Sequence, residues 1–170
     1  MRPDTKDWTW VLNARCPECD LEAATVAGVD VPDLLRGYAE RWEDVLTRPD
    51  AAVRPGEDVW SPLEYACHVR DVCRVMQLRA ELMLTEDSPT FPSWDQDATA
   101  VADRYGEQDP VDVTRELHQA AADAAAVFAS VRDDQWQRAG LRSNGSAFTV
   151  ETLAQYFVHD VVHHLHDVAG

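Results

Sequence analysis

A chain of 170 residues with 31 acidic and 15 basic side chains carries a formal charge of −16, and it is long enough to bury a hydrophobic core without disulfide staples. The acids are spread along the whole length with no basic stripe to displace phosphate counterions, which excludes a general nucleic-acid binder, although a local positive pocket for a small anion is compatible with such a surface. No apolar run has the length of a bilayer span, and the opening MRPDTKDW lacks the apolar stretch of a secretory leader. One cytoplasmic domain over residues 1–170, with no membrane contact, is therefore expected.

Residues 1–29 read as an irregular N-terminal segment that contains CPEC. The Cys16–Cys19 spacing is shared by redox pairs and by half of a zinc knuckle. No second CxxC follows and no βαβ pattern surrounds it, so the plainer expectation is a turn whose thiols pack against the rest of the domain. Asp30 can cap a first helix that Pro32 opens, with Leu34, Leu35, Tyr38, Trp42, Val45 and Leu46 recurring at three and four. RPDAAVRPGEDV breaks it. Ser61 and Pro62 suit the cap and first turn of a second helix over about 62–84, which carries His68. Cys67 and Cys73 point well away from His68 on that helix and read as packing residues.

A long acidic connection, TEDSPTFPSWDQDATAVADRYGEQD, comes next, with a short helical turn expected around 97–105. Asp109 and Pro110 open an alanine-rich third helix, on which His118 is expected to be exposed. DDQWQRAGLRSNGSA is a second connection with an Asn-Gly turn, and Thr149 can cap a last helix, VETLAQYFVHDVVHHLHDV. Four amphipathic helices, no strand-like alternation, and long loops between helices 2–3 and 3–4 predict an all-α four-helix bundle.

The last helix poses the chemical question. His159 and His163 stand one turn apart and can share one ion, and His68 is the only histidine of the second helix able to complete a set of three nitrogens. Such a set suits zinc, nickel or iron and leaves a coordination position open. A helical wheel gives the opposite expectation, placing His159, His163 and His166 opposite the apolar sector centred on Val158, Val161 and Leu165, and hence in solvent. Asp160 and His164 form a competing pair at the same spacing. Asp71 and Asp167, each one turn from a histidine, could orient imidazoles. Trp60 and Trp94 could cover or shape a pocket for a cofactor or substrate, and Tyr156 could face the substrate, although lid packing or simple exposure serves as well for all three.

Together, WSPLEYACHVRDV, then FPSWD, then HDVVHHLHDV resemble the DinB-like superfamily of bacterial metal-binding bundles, over about residues 34–168. Its relatives include mycothiol-dependent maleylpyruvate isomerase and bacillithiol S-transferases. The resemblance implies a metal histidine in the second helix after a Trp-Ser/Thr-Pro type of start, here His68. It also implies two ligands one turn apart in the last helix, here His159 and His163, around a groove at the side of the bundle. The doubled His163–His164 leaves the register open, because a shift of one residue puts Asp160 and His164 in the ligand positions.

The implied function is a thiol-dependent S-transferase or isomerase. In it a divalent metal activates a low-molecular-weight thiol such as mycothiol toward a small electrophile, with His164, Asp160 and Tyr156 as candidate catalytic groups. A metal-dependent hydrolase using Asp160, or a non-enzymatic metal-binding stress-response module, are the alternatives. A homodimer is the base-rate expectation for assembly.

Overall fold

The computed structural model of the chain describes residues 6–170, so the first five residues of the expected irregular segment lie outside the described residues. Five helices follow in order: α1 (Val31–Leu46), α2 (Pro62–Thr85), the short α3 (Gln96–Ala102), α4 (Pro110–Ser130) and α5 (Val150–Asp167). Helix starts are written in the local sequence. Ser61 Oγ accepts the Glu64 N–H while the Glu64 carboxylate accepts the Ser61 N–H, and Thr149 and Thr152 reciprocate in the same way. Asp109 accepts the N–H groups of Val111 and Asp112 at the head of α4. Asp30 stands at the N-cap of α1 but makes no side-chain cap bond. A 3-10 turn over Gly28–Asp30 runs straight into α1, so Asp30 is already helical at φ −88°, ψ −16°.

α1, α2, α4 and α5 make the bundle, with α2 packed on α4 and α5, and α1 packed on α4 and α5. Trp42, Leu63, Leu117, Phe128, Leu153, Phe157 and Leu165 fill its centre, and each such side chain contributes about 1.5–3 kcal/mol on burial. Ala120, Ala121, Ala124 and Ala125 are buried on α4, where small side chains let the neighbouring helices approach closely.

The all-α bundle is as expected, but a small three-stranded sheet stands beside it where no strand was expected. β1 (Thr90–Phe91) pairs parallel to β2 (Ala139–Arg142), which pairs antiparallel to β3 (Ala147–Thr149). Strands of two to four residues are too short to display alternation. The one local signal was Asn144-Gly145, which turns β2 into β3 with Gly145 at φ +96°. Gly140 is required for a different reason: a Cβ there would lie 2.7 Å from Met83 Cγ of α2. The sheet thus seats tightly against α2 and becomes one wall of the groove described below.

The first described residues and the C-terminal end are both fastened to the bundle. The N-terminal segment, largely 3-10 turns and bends, packs on α5, and Gln155 Nε2 donates to the carbonyls of Ala24 and Val26 at 3.3 and 3.1 Å. At the other end the Arg48 guanidinium donates to the carbonyls of Val168 and Ala169 at 2.7 and 2.9 Å. No helix among the described residues is long and apolar enough to cross a membrane.

Candidate metal centre

One step along an α-helix rotates the side chain by about 100°, so the interleaved pairs 159/163 and 160/164 on α5 face different neighbours. Asp160 and His164 face α2, where they meet His68. His159 and His163 face the N-terminal segment, where they meet Cys16 and Cys19. Within each cluster the donor atoms lie within 4.8 Å of one another. The structure thus divides the expected triad: His68 is gathered with Asp160 and His164, the one-residue alternative register, while His159 and His163 join a different set of donors.

In the first cluster Asp160 Oδ1 lies 3.4 Å from His68 Nε2 and 3.8 Å from His164 Nε2. His68 is fully buried, and neither of its ring nitrogens nor Asp160 Oδ1 has a hydrogen-bond partner. Buried polar groups are ordinarily satisfied, so His68 Nε2 and Asp160 Oδ1, both without a hydrogen-bond partner and 3.4 Å apart beside His164 Nε2, are a set that a cation would complete. The third ligand is held in place from behind. His164 Nδ1 pairs with Asp167 Oδ2 at 2.9 Å, leaving Nε2 toward Asp160. Burial lowers the pKa of His68, favouring the neutral imidazole that a metal requires. Although burial alone would raise the Asp160 carboxyl, the neighbouring His68 holds it below its ordinary value. Two-histidine, one-carboxylate ligation with an open position suits zinc or iron.

Aromatic side chains wall this cluster. Trp94 stacks on His68 with ring centroids 5.4 Å apart and planes 13° apart, its Nε1 fixed to Thr99 Oγ1 at 2.8 Å. Trp60 leans on the same imidazole at 5.5 Å. Asp160 opens onto a groove of about 500 Å³ that Trp94, Tyr156, Met76, Arg79 and Arg142 also line. The two arginines had no sequence signal, since one comes from the middle of α2 and the other from the unexpected sheet. Arg79 is buried over the Phe91 ring and donates to the Pro92 carbonyl, and Arg142 donates to Asn144 and Ser146. Neither has a carboxylate at ion-pair distance among the described residues. Burial, helped by Arg142, pulls the Arg79 guanidinium down to about 10. The groove's lining is mixed in charge, since Lys6, Asp7, Asp95 and Asp97 share it with the two arginines and Arg142, after the Thr9 hydrogen bonds, helps to lower the Asp7 pKa, so the guanidiniums are its donors for an anionic group within a partly acidic wall. Tyr156 keeps its proton through neutral pH, because burial and then Asp160 raise its pKa.

Asp71, expected beside His68, is committed elsewhere. It accepts from Arg70, Arg74 and the Tyr105 hydroxyl, the last at 2.5 Å, and forms the centre of a separate buried ion network. Cys67 and Cys73 are packing residues as expected, with burial pushing the Cys67 thiol up to about 12. His118, expected to be exposed, is half-buried and pairs with Glu43 at 2.9 Å.

His159 and His163 are 3% and 6% exposed, against the helical-wheel expectation of solvation. What covers them is the N-terminal segment: Trp8 lies 5.8 and 4.8 Å from their rings, and Cys16 Sγ lies 3.6 Å from His163 Nδ1. Burial, with His163 nearby, lowers the His159 pKa to about 4. An imidazole that protonates at about 6.5 when unfolded but only near 4 when folded gives stability that is complete above pH 6.5 and lost as pH falls toward 4, because the unfolded chain binds the extra proton. Urea unfolding of metal-free protein between pH 7 and 4.5 is expected to show a loss of up to about 3 kcal/mol over this window. A flat profile would show that His159 is not buried neutral.

The model for the DinB superfamily matches residues 29–168 of the chain. Among solved structures, the chain is similar to YfiT from Bacillus subtilis, described as a probable metal-dependent hydrolase with an unusual four-helix bundle topology. The two share 17% sequence identity with a TM-score of 0.74, covering 84% of this chain and 85% of that one. At that identity the likeness shows the fold. No curated protein matches the sequence.

Proposed function

Because the chain belongs to the DinB superfamily, we propose that it is a metal-dependent hydrolase of small anionic substrates, its ion held by His68, Asp160 and His164. The observation that carries this reading is the set of orphaned donors, His68 and Asp160 Oδ1, at the edge of a groove lined by two arginines without carboxylate partners. The description of YfiT as a probable metal-dependent hydrolase supports hydrolysis over thiol transfer.

A divalent ion in such a site polarises a carbonyl and lowers the pKa of water. The chain's own residues supply the rest. Arg79 and Arg142 anchor the substrate's anionic group with charge-assisted hydrogen bonds. Tyr156, protonated and lining the same groove, donates to the oxygen on which negative charge develops. Asp167 fixes the His164 tautomer, and Trp94 and Trp60 hold the His68 ring and keep water from its faces. The arrangement favours an ester or amide with a carboxylate or phosphate a few bonds from the scissile carbonyl.

The test is a panel of carboxylate-bearing and neutral esters and amides, assayed with protein reconstituted with zinc, nickel or iron, with and without a low-molecular-weight thiol. Thiol-independent turnover that prefers the anionic members and disappears on chelation is expected. Turnover only in the presence of thiol would replace hydrolysis with S-transfer on the same ion, and no turnover in either arm would leave a non-enzymatic metal-binding module.

A further inference from the structure

We propose that Cys16, Cys19, His159 and His163 form a second metal site, a closed structural zinc site that clamps the N-terminal segment onto α5. C-x2-C together with H-x3-H is the donor spacing of Cys2His2 zinc sites. Here the two halves lie at opposite ends of the chain and the fold brings them together, with all four donor atoms within 4.8 Å of one another. Zinc bonds of about 2.3 Å to sulfur and about 2.0–2.1 Å to nitrogen put tetrahedral donors about 3.3–3.8 Å apart, and Cys16 Sγ and His163 Nδ1 are already 3.6 Å apart.

Three further observations point to a ligand. His159 is 3% exposed, and its Nε2 is buried without a hydrogen-bond partner. His163 turns Nδ1 toward Cys16 and Nε2 toward carboxylates, with Glu18 Oε2 at 3.5 Å and Asp167 Oδ1 at 3.9 Å. That is the carboxylate–imidazole–metal arrangement, in which the outer carboxylate orients the ring and raises its basicity. Glu18 comes from within CPEC itself, so the motif brings two thiols and an orienting carboxylate together. Finally, the segment is largely short 3-10 turns and bends with few fully buried apolar side chains: among its described residues before position 28 only Val11, Cys16 and Ala23 are buried apolar residues, with Leu12, Leu21 and Val26 partly buried against the core, so a metal would add to a modest packing interface. Four protein donors leave no open position, which assigns the site to structure rather than catalysis. Residues 16–19 lie before the stretch that matches the superfamily, residues 29–168, whereas His159 and His163 lie within it.

The site shares no ligand with the His68 cluster, and the experiment separates the two. Full-length, untagged protein is loaded with cobalt, and metal content and absorption are measured. Two equivalents are expected, with thiolate-to-cobalt charge transfer in the near ultraviolet and the intense visible bands of tetrahedral cobalt. The double variant Cys16→Ser/Cys19→Ser should fall to one equivalent and lose the charge-transfer bands, whereas His68→Ala should fall to one equivalent and keep them. Should the double variant misfold, the wild type still decides. Chelating zinc-loaded protein should make Cys16 and Cys19 reactive to a thiol reagent and speed trypsin cleavage after Arg15, whose side chain is already exposed, and zinc should reverse both. Absence of charge transfer in reduced wild-type protein, or a Cys16–Cys19 disulfide whose reduction brings no metal uptake, would overturn the clamp. Charge transfer without any hydrolysis would instead leave the clamp standing and sink the hydrolase.

Discussion

His68→Ala is expected to lower hydrolysis by more than about 100-fold and to remove the groove's metal, because losing even an outer-shell partner costs about 10–100-fold in affinity or activity and His68 is proposed as a direct ligand. Its geometry makes it hard to replace. It is the only donor from α2 in the cluster, it is fully buried, and its ring lies against Trp94 and Trp60. Truncating a buried ring also leaves a cavity that costs a few kcal/mol, by analogy with about 2–5 kcal/mol for large-to-alanine changes in cores. Asp160→Asn is the companion that avoids this. It keeps shape and volume, removes the charge, and should lose metal and turnover to a similar degree while the circular dichroism spectrum stays that of wild type. Retention of both metal equivalents in His68→Ala would reject the assignment.

Arg79→Met should act on binding and leave the chemistry alone. A charge-assisted hydrogen bond to a buried partner is worth about 1.5–3 kcal/mol, so KM for a carboxylate-bearing ester should rise about 10–100-fold while kcat stays near wild type. A neutral ester of the same shape should show no change in either. Methionine fills much of the arginine's volume beside Phe91 and removes a cation whose pKa is already pulled down to about 10, so the loss of stability should be limited to about 1 kcal/mol for the hydrogen bond to the Pro92 carbonyl. Equal loss on charged and neutral esters would show that Arg79 supports the groove rather than the substrate.

The helices were legible because their signals are local: Ser61-Pro62, Asp109-Pro110 and Thr149 start α2, α4 and α5 within a residue of where the pattern put them. The site was only half legible. HxxxH and CxxC are each visible in the sequence, but which helical pair faces which neighbour turns on a single 100° step, and spacing alone could not choose between 159/163 and 160/164. The wheel misjudged His159 and His163 because it weighs only the apolar stripe of the helix. What buries them is Trp8 and Cys16, arriving from a segment with no periodicity to read. Arg79 and Arg142 were invisible for a similar reason: their proximity depends on the short sheet, whose strands are too brief to leave a pattern.

Termini ordinarily loosen before the rest of a protein does. In this chain Arg48 grips the carbonyls just beyond α5, and the first described residues lie along the same helix. The described N-terminal segment and the C-terminal end therefore meet on α5. Peeling away either end would disturb the helix that supplies donors to both clusters, so fraying here would no longer be a peripheral event and would be felt as a change in metal content.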